Sequence, residues 1–319
     1  MSPANRNKEA VDSSRGEPPS PSGPDTGRVV SAFGKRLTVE DDRGRQWPAF
    51  VARRGLRVVC GDRVVFEPAG DDAEAAVTDR LPRTNELTRP DRRGRVEVLA
   101  ANIDRIVVVV APEPPTDPFV TDRYLAAAET MGCDAVVVVN KSDLPAGDDL
   151  PLEEYARLGY PVLRVSAASG EGLEALGRSL AGHTSILVGQ SGVGKSSLVN
   201  ALVPGGSAAI QSLSRSTGEG RHTTTASVLH ALPEGGGLID SPGVRDYAPA
   251  LDDPAIAVQG FREIGRLAGE CRFGNCRHLR EPGCAVKAAV ESGAISRRRY
   301  ESYRRLRRLI EEVAKPGWA

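Results

Sequence analysis

Short, almost wholly apolar runs alternate with amphipathic stretches through the middle of the chain. The runs 103–111, 134–139 and 184–188 are rich in Val and Ile and too short for buried helices, so each predicts a strand covered on both faces. Between and around them, 119–131, 152–158 and 172–180 carry helical spacing, and 161–165 reads as one more strand. This alternation predicts an α/β domain with a mostly parallel sheet. The N-terminal third has a different rhythm, with β-like runs at 28–33, 36–40, 46–51, 62–66 and 75–79 separated by turn signals. That pattern predicts a small β-barrel of the OB or SH3-like kind. After the α/β region come a strand pair around Val228 and Leu238 and a helical end, in which 296–313 turns Tyr300, Tyr303, Leu306 and Ile310 to one face. Residues 1–26 are Ser, Pro, Gly and charge with little to bury, and are expected to be a disordered tail. The expected organisation is a tail (1–26), a barrel (27–92), an α/β domain (93–248) and a helical domain (249–319).

Composition changes this picture in three ways. Lys and Arg total 42 and Asp and Glu total 42, so nothing draws the whole molecule to nucleic acid, and any such contact must be local. Two basic clusters stand out: Arg53, Arg54, Arg57, Arg80, Arg83, Arg89, Arg92 and Arg93 around the barrel, and Arg297, Arg298, Arg299, Arg304, Arg305, Arg307 and Arg308 on the last helix. An OB barrel with basic loops suits RNA, and the arginine density of the helix favours phosphate contact. No apolar run is long enough to span a bilayer and the N-terminus lacks a signal core, so a cytoplasmic protein is expected. The 5 cysteines are an odd number, with three packed between 271 and 284, which suits a metal site in a reducing compartment.

The chemistry centres on Gly189-Gln190-Ser191-Gly192-Val193-Gly194-Lys195-Ser196, between the strand 184–188 and the helical run that opens at Ser197. This is a P-loop in its required context. Its glycines let backbone N–H groups curl around a polyphosphate at the positive end of a helix. Lys195 is placed to reach the β- and γ-phosphates, and the Ser196 hydroxyl to ligate Mg²⁺.

Asn140-Lys141-Ser142-Asp143 follows the strand 134–139, where ligands bind in open α/β sheets. A carboxylate at Asp143 can accept both the N1–H and the 2-amino group of guanine, whereas adenine presents a lone pair there, so GTP is favoured over ATP. Ser166-Ala167-Ala168 follows the next strand, where a backbone N–H could meet guanine O6. Asp240-Ser241-Pro242-Gly243 follows Gly237-Leu238-Ile239; Asp240 would hold Mg²⁺ and the Gly243 N–H sense the γ-phosphate. Thr223, Thr224 and Thr225 lie in the polar loop before it, with Thr224 and Thr225 the candidates to close over Mg²⁺. In familiar GTPases a Gln after Asp-x-x-Gly orients the attacking water. Val244 stands there instead, so either another residue or a partner must place the water, and His222 is the best in-chain candidate. The base-reading motif precedes the P-loop, the reverse of the usual order, so the domain is circularly permuted.

Cys271, Cys276, His278 and Cys284 supply four ligands within a short span, the pattern of a closed tetrahedral Cys₃His zinc site. Cys60 and Cys133 sit among barrel and sheet residues and read as core.

With these motifs in this order, the chain resembles the ribosome small-subunit-dependent GTPase A family of circularly permuted bacterial GTPases, over roughly residues 27–312. The resemblance implies an OB barrel, a permuted GTPase domain and a zinc domain. It further implies GTP hydrolysis stimulated by the small ribosomal subunit late in its maturation, with the subunit and its rRNA as partners. Membrane and DNA are not expected as partners, and a monomer is. Similar proteins are thought to use the histidine matching His222. The rival readings are a non-ribosomal GTP-dependent switch that recruits a protein effector and a P-loop kinase; the guanine motif and the lack of a second-substrate lid disfavour the kinase.

Overall fold

The computed structural model describes residues 24–34, 36–68, 73–90, 95–145, 150–203, 227–241 and 254–313. Residues 1–23 of the expected tail, His222 with Thr223, Thr224 and Thr225, and Pro242, Gly243 and Val244 lie outside the described residues, whereas Asp25 and Thr26, expected in the tail, open the first strand.

Five strands build the barrel: β1 (Asp25–Phe33), β2 (Arg36–Asp41), β3 (Gln46–Val51), β4 (Arg63–Glu67) and β5 (Ala75–Arg80). Alternate residues Val29, Leu37, Val39, Ala49, Val64, Phe66, Ala75 and Val77 point inward and fill it. The order β1-β2-β3-β5-β4 closes back on β1, with β3 and β5 parallel and the other pairs antiparallel. This is the Greek-key closure of an OB barrel rather than an SH3-like one. A hairpin of β6 (Glu86–Pro90) and β7 (Val96–Ala101), which the hydrophobic pattern does not signal, then leads away from the barrel.

The central domain runs β8 (Arg105–Val110), α1 (Pro118–Met131), β9 (Asp134–Val139), α2 (Leu152–Arg157), β10 (Val162–Arg164), α3 (Leu173–Leu180), β11 (Thr184–Val188), α4 (Lys195–Leu202), β12 (Ser227–Ala231) and β13 (Gly237–Asp240). The sheet order is β10-β9-β8-β11-β13-β12, parallel except for β12. In β8, Ile106, Val108 and Val110 pack with α1 and α2, while Val107 and Val109 pack with α3 and α4. Burial on both faces is why these strands read as unbroken apolar runs. Helix α1 is sharply delimited: the Asp117 side chain accepts from the Phe119 N–H, Pro118 opens the first turn, and Gly132 closes the helix at φ 68°.

The sheet does not stop at β12. Past a bulge between Val29 and Ser31, β1 leaves β4 and pairs with β12, Ser31 opposite Val228 and Ala32 opposite Ser227. Barrel and α/β domain therefore share one hydrogen-bonded sheet of 11 strands.

The C-terminal part holds a 3₁₀ turn (Pro254–Val258), α5 (Arg262–Ala268), α6 (Ala285–Glu291) and α7 (Arg297–Val313). Its core of Phe261, Ile264, Val286, Tyr303, Leu306 and Ile310 also takes in Ala126 of α1. Here the sequence expectation for the arginine-rich helix needs correction: Arg299 is 1% exposed, and Arg307 is buried as well. Arg299 donates to Asp122 Oδ1 at 2.8 Å and to both Glu263 oxygens at 2.6 and 3.1 Å. Arg298 reaches Asp122 Oδ2 at 2.6 Å and Glu154 at 2.5 Å. Burial opposes the charge on Arg299, yet the Asp122 and Glu263 carboxylates outweigh it and raise its pKa. Arg298 and Arg299 fasten α7 to α1, α2 and α5 and are not available for phosphate, while Arg297, Arg304, Arg305 and Arg308 stay exposed.

Candidate functional site

Three loops meet at the C-terminal ends of β8, β9 and β11, the side of an open parallel sheet where ligands bind. The loop from β11 into α4 is shaped by glycines that no other residue could replace without a shift. A Cβ on Gly189, at φ 140°, would lie 2.3 Å from Val109 O, and one on Gly194, at φ 93°, would lie 2.2 Å from Asn140 Nδ2. Lys195 stands half-buried at the start of α4 and folds back across the loop, with Nζ donating to the carbonyls of Gly189 at 2.7 Å and Gln190 at 2.6 Å. Its charge thus sits at the loop's centre, while Ser196 and Ser197 are exposed beside it.

Asn140 ties the loops together. It is 1% exposed, its Nδ2 donates to Val193 O at 2.9 Å, and its Oδ1 accepts from the Ala167 N–H at 3.2 Å. Lys141, at φ 59°, extends to Glu113 O at 2.7 Å. The Ser142 N–H donates to Val165 O, and Asp143 stands exposed beyond it. Ser166 is buried and shapes its own turn, its Oγ accepting from the Ser169 N–H at 3.1 Å; Ala168 is exposed. The elements of the base motif and of the P-loop, about 50 residues apart in the chain, are thereby in direct contact.

Asp240 ends β13, next but one to β8 across β11 and so on the same rim of the sheet. Ser241 follows it, buried and hydrogen-bonded through Oγ to Ser227 Oγ at 2.9 Å. His230, two residues along the partner strand, is buried, and that burial lowers its pKa against the opposing pull of Asp240.

One wall was missed in the sequence. The proline-rich loop over 112–117 closes against the P-loop: the Asp117 N–H donates to Gln190 Oε1 at 2.9 Å, and Gly192 faces Pro114. Its only sequence signal is a run of prolines directly after a buried strand, which marks a rigid loop but not what it touches.

The four metal-type ligands also come together, with their donor atoms all within 4.8 Å of one another. Cys271 Sγ lies 3.4 Å from His278 Nδ1 and 3.9 Å from Cys284 Sγ, and Cys284 Sγ lies 3.5 Å from His278 Nδ1. Tetrahedral zinc with ordinary bond lengths requires about 3.8 Å between sulfurs and about 3.5 Å between sulfur and nitrogen, so the residues fit that ion. His278, at φ 57°, is oriented by the backbone around it: its carbonyl accepts from Tyr300 Oη at 2.6 Å, and that of Arg277 from Tyr303 Oη at 2.8 Å. Cys60 and Cys133 lie elsewhere, their thiols pushed up to about 12 by burial.

A parallel sheet with a P-loop, a base-type motif placed before it in the chain, and an Asp-ended strand after it define a circularly permuted P-loop GTPase. Residues 80–249 match the RsgA GTPase family. A protein named small ribosomal subunit biogenesis GTPase RsgA, from Azotobacter vinelandii, is 46% identical over 290 residues, covering 88% of this chain and 84% of that protein. One of the same name from Ectopseudomonas mendocina is 43% identical, covering 95% and 90%. Among solved structures, YjeQ from Thermotoga maritima superposes with a TM-score of 0.71 at 33% identity, covering 90% of this chain and 99% of that one. YloQ, described as a circularly permuted GTPase, superposes at 0.69 and 26% identity, covering 95% and 98%. The chain belongs to the RsgA GTPase family, and it is a GTPase.

Proposed function

We propose that this GTPase acts on the small ribosomal subunit in the cytoplasm during the subunit's late maturation, docks through its barrel and Cys₃His domain, and leaves when GTP is hydrolysed. The observation that carries this reading is the 46% identity, spread over 88% of the chain, to a protein named for small-subunit biogenesis. A match of that extent runs well beyond residues 80–249, the span that the family matches. The working units are the barrel (27–92), the permuted GTPase domain (93–248) and the metal-bearing domain (249–319), acting as a monomer.

Each site residue then has a task. The backbone N–H groups from Gly189 to Gly194 surround the phosphates, and Lys195 exchanges its carbonyl partners for the β- and γ-phosphates. Asp143 accepts from guanine N1–H and the 2-amino group, and the loop Ser166-Ala167-Ala168 offers backbone N–H to O6. Asn140 uses one N–H of Nδ2 on Val193 O, and the second can donate to the base edge. Ser196 and Asp240 supply the hard oxygen donors that suit Mg²⁺, joined by Thr224 or Thr225 from the switch loop. Bound there, Mg²⁺ would neutralise charge on the β- and γ-phosphates. Water attacks the γ-phosphorus, the bond to the β-bridging oxygen breaks, and GDP and inorganic phosphate leave. The Val244 side chain can form no hydrogen bond to that water, so His222 orients it when the partner is docked, with the Gly243 N–H at the γ-phosphate. Cys271, Cys276, His278 and Cys284 would hold one zinc ion that fixes the loop between α5 and α6.

GTP turnover measured with and without purified small subunits tests this reading. The expected outcome is a large stimulation by small subunits and none by large subunits; equal rates in all three conditions would refute it.

A further inference from the structure

The metal-clamped loop between α5 and α6 presents a side chain that its structural role does not account for. Phe273 is 41% exposed, a rare state for a large apolar residue among the described ones. It is rigidly mounted. The Arg272 N–H donates to Gly283 O at 3.0 Å, the Cys276 N–H closes a turn on Phe273 O at 3.1 Å, and cluster ligands stand on both sides of it in the chain.

The exposed charge on this loop is mostly positive. Arg272, Arg277 and Arg280 are exposed, and none of them has an ion-pair partner among the described residues. Arg272 holds its guanidinium carbon 5.5 Å from the centre of the Phe273 ring. The nearby acid, Glu281, is turned inward: its carboxylate accepts from the backbone N–H groups of Arg277 at 3.1 Å, Leu279 at 2.9 Å and Arg280 at 3.0 Å. Glu281 therefore braces the loop, which leaves Glu270 as its one outward acid against three arginines.

A fixed, exposed ring on a loop with three exposed guanidiniums, one of them against the ring, combines a stacking surface with phosphate ligands. An acidic peptide would use the arginines and leave the ring idle. Duplex RNA would do the same, because its bases are already stacked within the helix. We propose that this loop is a docking site for an unpaired RNA nucleotide, whose base stacks on Phe273 while Arg272, Arg277 and Arg280 take the flanking phosphates. The source of the RNA, an exposed segment of small-subunit rRNA, rests on the function proposed above.

The probe is a single-stranded A12 oligoribonucleotide, within the range of about 4–16 nucleotides of single-strand sites, compared with a 12-base-pair RNA duplex. Phe273→Ala should lower A12 affinity about 5- to 100-fold, the range for one base–aromatic stack, and leave duplex affinity unchanged. Phe273→Tyr should restore it and Phe273→Leu should not. Phe273→Trp should show fluorescence quenching by A12 beyond that of the native protein, which keeps a contact made elsewhere, such as on the barrel, from hiding the result. The Arg277→Gln and Arg280→Gln changes should each flatten the salt dependence of A12 binding by about 0.7 in log–log slope. Metal content and basal GTP turnover of Phe273→Ala serve as the check on folding. Full restoration by Leu, or no added quenching in Phe273→Trp, would overturn the proposal. If small subunits fail to stimulate the native protein while Phe273→Trp is quenched, the partner reading falls and the loop site stands; stimulation without quenching gives the converse.

Discussion

Asn140 shows what a single residue does here. Both its polar ends are spent on holding two loops together, at Val193 O and at the Ala167 N–H. Asn140→Ala would leave both groups without that partner in a buried place, at a cost on the order of 1–3 kcal/mol each. We expect it to weaken GTP binding and lower the denaturation midpoint of the GTPase domain together; a variant that loses affinity without losing stability would show that Asn140 acts on the base alone. Gly194→Ala is more severe, since the added Cβ would lie 2.2 Å from Asn140 Nδ2 on a backbone at φ 93°. Equilibrium dialysis should find no GTP binding in that variant, with barrel and metal content retained. For Asp143→Asn the expected result is a loss of guanine selectivity and partial admission of xanthosine triphosphate, because an amide can present a donor where the carboxylate only accepts. His222→Ala should keep GTP affinity and cut the subunit-stimulated rate by about 10²-fold or more, the scale for a group that acts in the transition state. Retained stimulation in single-turnover assays would assign the water to rRNA or another residue.

Helix α7 is the element whose role changed most between sequence and structure. Seven arginines in one helix read as a surface for phosphate, but Arg298, Arg299 and Arg307 turn inward. Arg299 and Arg307 stand four residues either side of Tyr303, on the inward face, but nothing in the helix marks what they or Arg298 meet; the partners Asp122 and Glu154 lie in α1 and α2, more than 140 residues away. Asp122 is fully buried between two guanidiniums. Removing it leaves Arg299 with Glu263 alone and Arg298 with Glu154 alone, and Asp122→Ala should destabilise the docking of the C-terminal part by about 1.5–3 kcal/mol. Limited proteolysis should then cut between the GTPase domain and α5 in the variant and not in the native protein. The loop before α6 depends on a different element-scale device. Cys276→Ala should release the metal and loosen α5 and α6, while nucleotide binding persists, since none of the P-loop or base residues contacts the cluster. Metal analysis finding no zinc in native protein purified without chelators would refute the site.

At the scale of the molecule, the feature that matters is the sheet shared by barrel and GTPase domain. β12 emerges from the polar switch loop at Ser227, and Ser227 and Val228 pair at once with Ala32 and Ser31 of the barrel. On its other side β12 pairs with β13, which ends in Asp240. Hydrogen exchange should therefore slow at Ser31 and Ala32 when a non-hydrolysable GTP analogue binds, and change little in β4 and β5; unchanged exchange in β1 would mean that the ladder carries no nucleotide signal. Apart from the β6–β7 hairpin, the sequence by itself determined the kinds of element and the candidate chemistry, because both are set by local rules. Burial on two faces demands unbroken apolar strands, phosphate wrapping demands glycines before a lysine, and a tetrahedral ion demands four ligands closely spaced. Tertiary structure decided everything that depends on which distant residues meet: the β1–β12 junction, the proline loop against Gln190, and the inward arginines. Pairing across a sheet edge or a domain interface is chosen by shape and charge from separate parts of the chain, and no local pattern records it.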